Sequence, residues 1–329
     1  MDQECSHKPR TMHPLRRWRT AKFPAAMPVF CALFGFSVVL NAAAASPAAD
    51  NCSGVAVPAP AAQVHYSKLA FCDDFNSIDT IDTTGSGQAG FKWYTNRPYG
   101  LGIVASRYYS VSGSVLSVTD QERFQSNRAL QTMDPVTGNG QTFRFGYFEA
   151  RIRFNPRLGR GNPGWPAVWL TSANRVLNPN KVTYYAELDI FEACPNPNNP
   201  GTYNFNGTVH DWRPGQDSTP SKANEVSFYS NRNHLQMTPN IDWNTWHVVA
   251  VLWTPGRITW YLDGRPLMSQ GYSGRSRPDP LPAAAPEAAN HDPQDAFRIL
   301  DSEGPKGLEL ILGSGPDWPL YVDWIRVWN

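Results

Sequence analysis

Apolar and polar residues alternate with a period of two along much of the chain. Gly, Pro, Asn and Asp break the alternation at short intervals. Residues 111–118, 146–154, 246–253 and 257–264 show the pattern best. A period of two puts successive side chains on opposite faces, so these segments read as half-buried strands joined by turns. No long 3.6-residue periodicity interrupts them. The predicted fold class is all-β, an antiparallel sandwich. Residues 46–62 are rich in Ala and Pro and read as a linker. Residues 273–295, rich in Pro, Ala and Asp, read as a long surface loop that covers a short helix near 282–290. Residues 63–329 are expected to form one domain, since all-β folds run past about 200 residues as single units.

One segment breaks the alternation in an informative way. Residues 184–194 read Tyr-Tyr-Ala-Glu-Leu-Asp-Ile-Phe-Glu-Ala-Cys, which sets three carboxylates in an apolar, strand-like run. Glu187 and Asp189 share a face, with Ala186, Leu188 and Ile190 opposite. Glu192 falls on the wrong face unless one extra residue bulges at Ile190-Phe191 and restores the phase. With that bulge the two Glu lie four strand steps apart, roughly 13 Å at ~3.3 Å per residue. Side chains leaning together leave about 5 Å between the carboxyls. That is close to the ~5–5.5 Å at which one carboxylate attacks a sugar and the other carries the proton. Clustered acids repel one another and cannot all ionise cheaply, so their titrations are coupled. The competing reading is a solvated acidic strand or a cation site, and the flanking Tyr, Ile and Phe argue against a solvent edge.

Charge and leader change the picture next. Arg16, Arg17, Arg19 and Lys22 precede an apolar stretch at 27–40 and the small residues Ala43-Ala44-Ala45. This order reads as an export signal over residues 1–45, cleaved near Ala45, with a secreted or periplasmic product. Taking residues 1–45 away removes six Lys/Arg and two acids, so the charge goes from +1 to −3 over the remaining 284 residues. Such a balance argues against a nucleic-acid partner, and no later stretch is apolar enough for a membrane helix. Cys52, Cys72 and Cys194 remain. Export permits a Cys52–Cys72 disulfide that ties the N-terminal tail to the first strand; unpaired buried thiols are the alternative. Two G-x-G-x-x-G matches, at Gly85/Gly87/Gly90 and Gly159/Gly161/Gly164, lack a following helix and do not indicate a dinucleotide site. The seven His show no ligand spacing, so no cofactor is expected to be required.

Of twelve Trp, eleven lie beyond residue 45. Trp165 and Trp169, in Gly164-Trp165-Pro166-Ala167-Val168-Trp169-Leu170, stand just before the acidic strand and suit stacking on sugar rings. Trp246, Trp253, Trp260, Trp324 and Trp328 read as core.

From about residue 68 onward the chain resembles glycoside hydrolase family 16. The resemblance rests on Asp73-Asp74-Phe75, on 145–152 (Phe-Gly-Tyr-Phe-Glu-Ala-Arg-Ile), on 164–170 and on the acidic hexad. It continues through Val209-His210, Trp253, 261–264 (Tyr-Leu-Asp-Gly) and 322–327 (Val-Asp-Trp-Ile-Arg-Val). It implies a curved, concanavalin-like β-jelly-roll with an open cleft, and an endo-acting, retaining glycoside hydrolase acting on a polysaccharide as a monomer. On matching positions it implies Glu187 as nucleophile, Asp189 as the carboxylate that positions it, and Glu192 as general acid/base. Trp165, Trp169, Arg128 and His210 match substrate-contacting positions, and Asp323 lies near a structural calcium position of some members. The two residues between Asp189 and Glu192 are similar to laminarinases, agarases and carrageenases rather than lichenases or plant xyloglucan enzymes. A β-1,3-glucan is the expected substrate. The alternatives are a galactan or agar, transglycosylation on the same glycan class, and a non-catalytic carbohydrate-binding protein. Residues 194–200 (Cys-Pro-Asn-Pro-Asn-Asn-Pro) and the long 273–306 loop depart from the laminarinase pattern.

Overall fold

The computed structural model describes residues 52–98, 101–119, 128–154, 166–179, 185–195, 203–212, 226–229, 241–271, 306–315 and 318–329. The expected leader, the helix near 282–290 and Trp165 lie outside these residues.

Two eight-stranded sheets face each other. The back sheet holds β1 (Leu69–Asp73), β4 (Tyr109–Ser112), β5 (Val115–Val118), β7 (Gly146–Phe154), β12 (His247–Thr254), β13 (Arg257–Leu262), β14 (Arg265–Gly271) and β16 (Leu320–Trp328). Its order is β14-β13-β12-β7-β16-β5-β4, with β1 also paired to β16. The front sheet holds β2 (Ile81–Asp82), β3 (Trp93–Tyr94), β6 (Leu130–Gln131), β8 (Ala167–Ser172), β9 (Tyr185–Pro195), β10 (Tyr203–Trp212), β11 (Val226–Tyr229) and β15 (Leu308–Gly313). Its order is β11-β10-β9-β8-β15-β6-β3-β2. Every pairing among these strands is antiparallel except the short β2–β3 contact. The antiparallel sandwich expected from the alternation, and the all-β jelly-roll that the family resemblance implies, are the observed fold class.

Alternation decides what fills the interior. From β7 come Phe148, Ala150, Ile152 and Phe154; from β16 come Leu320, Val322, Ile325 and Val327; from β15 come Leu308, Leu310 and Leu312. Burying each such side chain stabilises the fold by about 1.5–3 kcal/mol. Trp243 fills the space between the sheets at one end. Its ring stacks on Phe154 at 5.3 Å and meets Phe191 at 4.9 Å.

The stretch expected as a linker is packed over its described part. Helix α1 (Ala59–Gln63) begins after Pro58 and buries Ala61 completely. Val55, Val57, Val64 and Tyr66 lie with it against Tyr147, Ala250, Leu252, Tyr261 and Trp328 on the outer face of the back sheet. A disulfide joins Cys52 to Cys72 on β1 and fixes this strap. The aromatic expectation is also corrected in part. Trp253, Trp260 and Trp328 are buried, whereas Trp246 and Trp324 are half-buried on the outer face. There Arg151 and Arg153 lie over Trp246, and Arg326 lies over Trp324. Trp324 alternates with the core residues Ile325 and Val327 along β16, so it faces outward although it looks apolar in sequence.

Candidate active site

The acidic strand is β9, flanked by β8 and β10. Ala186, Leu188, Ile190, Phe191 and Ala193 all join the core. Ile190 and Phe191 are consecutive and both point inward, which is only possible if the strand bulges there. The register records the bulge on both sides. On β8, Val168 faces Phe191 while the next residue, Trp169, faces Asp189. On β10, Asn206 faces Glu192 and Thr208 faces Asp189. The extra residue shifts the phase, so Glu187, Asp189 and Glu192 share the outer face of the front sheet.

Their spacing follows from the partners. Glu187 stands opposite Thr171 and Glu192 opposite Ala167, with Trp169 opposite Asp189 midway. The two Glu are therefore four strand steps apart, roughly 13 Å along the sheet. The three side chains are 5%, 4% and 7% exposed, which rules out a solvated acidic strand. Carboxylates this buried are uncommon without a specific role or partner.

The bulge turns the carbonyl of Asp189 toward the core, where an unpaired acceptor is costly. Trp260, fully buried on β13 of the opposite sheet, donates its indole N–H to that carbonyl at 2.9 Å. Just past the bulge, the backbone N–H of Ala193 donates to Pro166 O at 2.9 Å. Trp260 reads as an ordinary core residue in sequence. Its polar role comes from tertiary contact and leaves no local signal.

The remaining expected residues divide. Trp169 is buried on the acid-bearing face and packs with Ala167 and Ile311. The guanidinium of Arg128 lies 4.9 Å from the Trp169 ring centroid, so these two meet at the candidate site. His210 lies on β10 opposite Glu187 in register. Asn206, Thr208 and Thr171, unmarked in sequence, are buried at positions paired with Glu192, Asp189 and Glu187. Their signal is register, which only the bulge position reveals.

Asp323 does not join the site. It lies on β16 of the back sheet, and its carboxylate accepts from Arg151 Nη1. Calcium takes about six to eight oxygen ligands. One carboxylate already held by a guanidinium is a poor start, and no group of three or more His, Cys, Asp or Glu placed to hold a metal ion occurs among the described residues.

Among known proteins, the endo-1,3-1,4-beta-glycanase EglC of Rhizobium meliloti (strain 1021) is 26% identical over 216 residues. That match covers 59% of this chain but only 40% of EglC, so the chain spans well under two thirds of that relative. The beta-glucanase of Rhodothermus marinus is 25% identical over 260 residues, covering 72% of this chain and 79% of the relative. Among solved structures, the laminarinase catalytic domain from Thermotoga maritima MSB8 is 17% identical with a TM-score of 0.46, over 80% of this chain and 98% of that one. The match that settles the family runs from residue 110 to 286, across the bulged acidic strand and both its neighbours, and over that span the chain belongs to the glycosyl hydrolases family 16.

Proposed function

We propose that this protein is an exported, retaining endo-β-glycanase that cleaves a β-1,3-glucan by double displacement. The observation that carries the reading is the bulge at Ile190-Phe191, which brings three buried carboxylates onto one sheet face. Glu192, protonated, gives its proton to the glycosidic oxygen as the bond to the anomeric carbon breaks. Glu187 attacks that carbon from the other side and forms a glycosyl ester, and the leaving chain departs as an alcohol. Glu192, now ionised, takes a proton from water; the water oxygen bonds to the anomeric carbon and Glu187 leaves as carboxylate. Two inversions give net retention. Asp189, between the two, holds Glu187 and modulates the charge around it. Trp169 with Arg128 offers a ring face and a cation beside the acids, suited to a sugar and its hydroxyls. The names of the relatives point to β-glucans, and the Cys52–Cys72 disulfide supports an oxidising destination.

A reducing-sugar assay on laminarin, lichenan, agarose and carrageenan tests the reading. Release of oligosaccharides from laminarin ahead of the others is the expected result. Glu187→Ala and Glu192→Ala should each lower laminarin turnover by at least about a thousand-fold, with circular dichroism unchanged. Substantial activity in either folded variant sinks the assignment.

A further inference from the structure

The bulge that builds the candidate site creates a packing demand beneath it. A regular strand sends alternate residues to opposite faces, so two inward residues in succession bring one side chain too many. Here Ile190 and Phe191 both enter the core, and Phe191 is fully buried. The ladder gives this stretch little hold. The β10 register passes from Asp189 to Glu192 without a partner for either residue between them, and the β8 register passes over Ile190. Whatever fixes the roll of the strand after the bulge has to come from the core.

Trp243 stands there. Its ring centroid is 4.9 Å from that of Phe191, with the planes tilted by 54°. Phe154 of β7 completes the group, stacked on Trp243 at 5.3 Å and lying 5.9 Å from Phe191. Each ring therefore meets the other two at separations where aromatic pairs attract.

Trp243 is carried on a tied turn. Its carbonyl accepts from Phe154 N at 3.0 Å. The Asp242 carboxylate accepts from Asn244 N and Nδ2 at 3.0 and 2.9 Å. The Asp242 carbonyl accepts from Thr245 N and Oγ1 at 2.9 and 2.7 Å. His247 makes a T-shaped contact with the Trp243 ring at 5.2 Å and is itself hydrogen-bonded to Asp263 at 2.8 Å. A ring fixed in this way can act as a stop for Phe191.

Phe191 and Glu192 are adjacent residues of one strand with side chains on opposite faces. A roll of the strand that lets the Phe191 ring shift in the core swings the Glu192 carboxyl the other way on the outer face. Trp260 holds the strand before the bulge, through Asp189 O. Trp243 supports it after the bulge, under the residue next to Glu192.

We propose that Trp243 is a positioning residue that acts through Phe191 to hold the Glu192 carboxyl at the scissile bond. The role rests on the reading of Glu192 as general acid/base.

The test uses two substrates that differ in their need for a proton. Laminarin has a poor leaving group and needs a proton from Glu192. A dinitrophenyl β-glycoside of laminaribiose releases a stable phenolate. Its kcat/KM, which reports formation of the glycosyl ester on Glu187, does not depend on that proton. Displacing a reacting group by about 1 Å can cost about a hundred-fold. Trp243→Leu should lose about that much in kcat/KM on laminarin and no more than about two-fold on the dinitrophenyl glycoside. Trp243→Phe, which keeps a ring against Phe191, should recover most of the loss. Phe191→Leu should show the same split. The double variant should be no worse than either single one, because both act through one contact. Phe148→Leu removes a buried ring near the opposite end of β7 from Phe154. It should lower stability and leave the ratio of the two substrates at the wild-type value. All rates are taken where circular dichroism shows every variant folded.

Equal losses on both substrates in Trp243→Leu, or no loss on either, overturn the proposal. So does a split as large in Phe148→Leu, or losses that multiply in the double variant. A wild type that cleaves neither substrate sinks the glycanase reading and this role with it. A wild type that cleaves both, while Trp243→Leu behaves as Phe148→Leu does, sinks the role alone.

Discussion

Trp260 shows how much of the site depends on one hydrogen bond. The β-bulge lies next to Asp189, the middle acid of the three, whose backbone carbonyl faces the core. The indole of Trp260 reaches it across the core. Trp260→Phe keeps most of the buried ring but removes the donor. Losing this buried hydrogen bond should cost about 1–3 kcal/mol, seen as a lower urea midpoint. The bulge should also loosen, so laminarin turnover should fall by more than the lost stability explains at temperatures where the variant is fully folded. A variant with wild-type turnover and midpoint shows that the bulge holds without this bond. Glu187, Asp189 and Glu192 are legible in the sequence because an acid in an apolar strand stands out. Trp260 is not, because a tryptophan among β-branched residues already has a sufficient explanation as core. Glu309 falls between: it breaks an apolar run as visibly as Asp189 does, but a lone acid there fits a surface-facing strand equally well.

At the scale of elements, the N-terminal strap carries the clearest consequence. Its helix is five residues long, too short to be stable alone, so it is held by packing and by the disulfide. The bridge spans 20 residues, and closing a loop of that size in the unfolded chain is worth about 3 kcal/mol. Cys52→Ser should lower thermal stability by roughly that amount, and the cost should vanish when both proteins are measured under reducing conditions. Limited proteolysis should cut the freed strap before any strand. If the variant melts with the wild type in oxidising buffer, the strap is held by the packing of Val55, Val57, Ala61, Val64 and Tyr66. Composition misleads here. Ala and Pro without a period look like a linker, yet Val55, Val57 and Ala61, with Val64 and Tyr66 just beyond that stretch, cover Tyr147, Leu252 and Trp328. The strands are legible because their period is set by the backbone. The bulge is legible because two inward residues in succession have no other arrangement. Which strands neighbour β9, and so which of Thr171, Asn206 and Thr208 approach the acids, depends on contacts far apart in sequence.

For the whole molecule, five of the resolved titrations illustrate a pH dependence. Burial raises the carboxyls of Glu149 and Glu309 above 4.5, although Glu149 accepts a bond from Trp328 Nε1. A carboxyl raised in the folded state stabilises fully below 4.5, and that contribution is lost as pH climbs toward the folded value. His247 is raised above 6.5, chiefly by its hydrogen bond to Asp263 at 2.8 Å, so its contribution is full below 6.5 and is lost above. Asp82 and Asp263 act in the opposite sense. Hydrogen bonds lower both below 3.8 against the effect of burial, from Gly87 N, Thr84 and Ser86 to Asp82 and from His247 and Val248 N to Asp263. Their contribution is present above 3.8 and is lost as pH falls through the folded values. All five contributions coexist only in a mildly acidic window, so melting temperature should peak near about pH 4–5 and decline through neutrality. Glu149→Gln and Glu309→Gln should each flatten the decline above the peak without moving its acid side, whereas Asp82→Asn should lower the plateau above 3.8. A melting temperature that rises from pH 5 to pH 8 in the wild type would show that the two buried carboxyls do not govern stability in that range. Those two sit on opposite sheets, Glu149 under the strap on the back sheet and Glu309 beside the acids on the front.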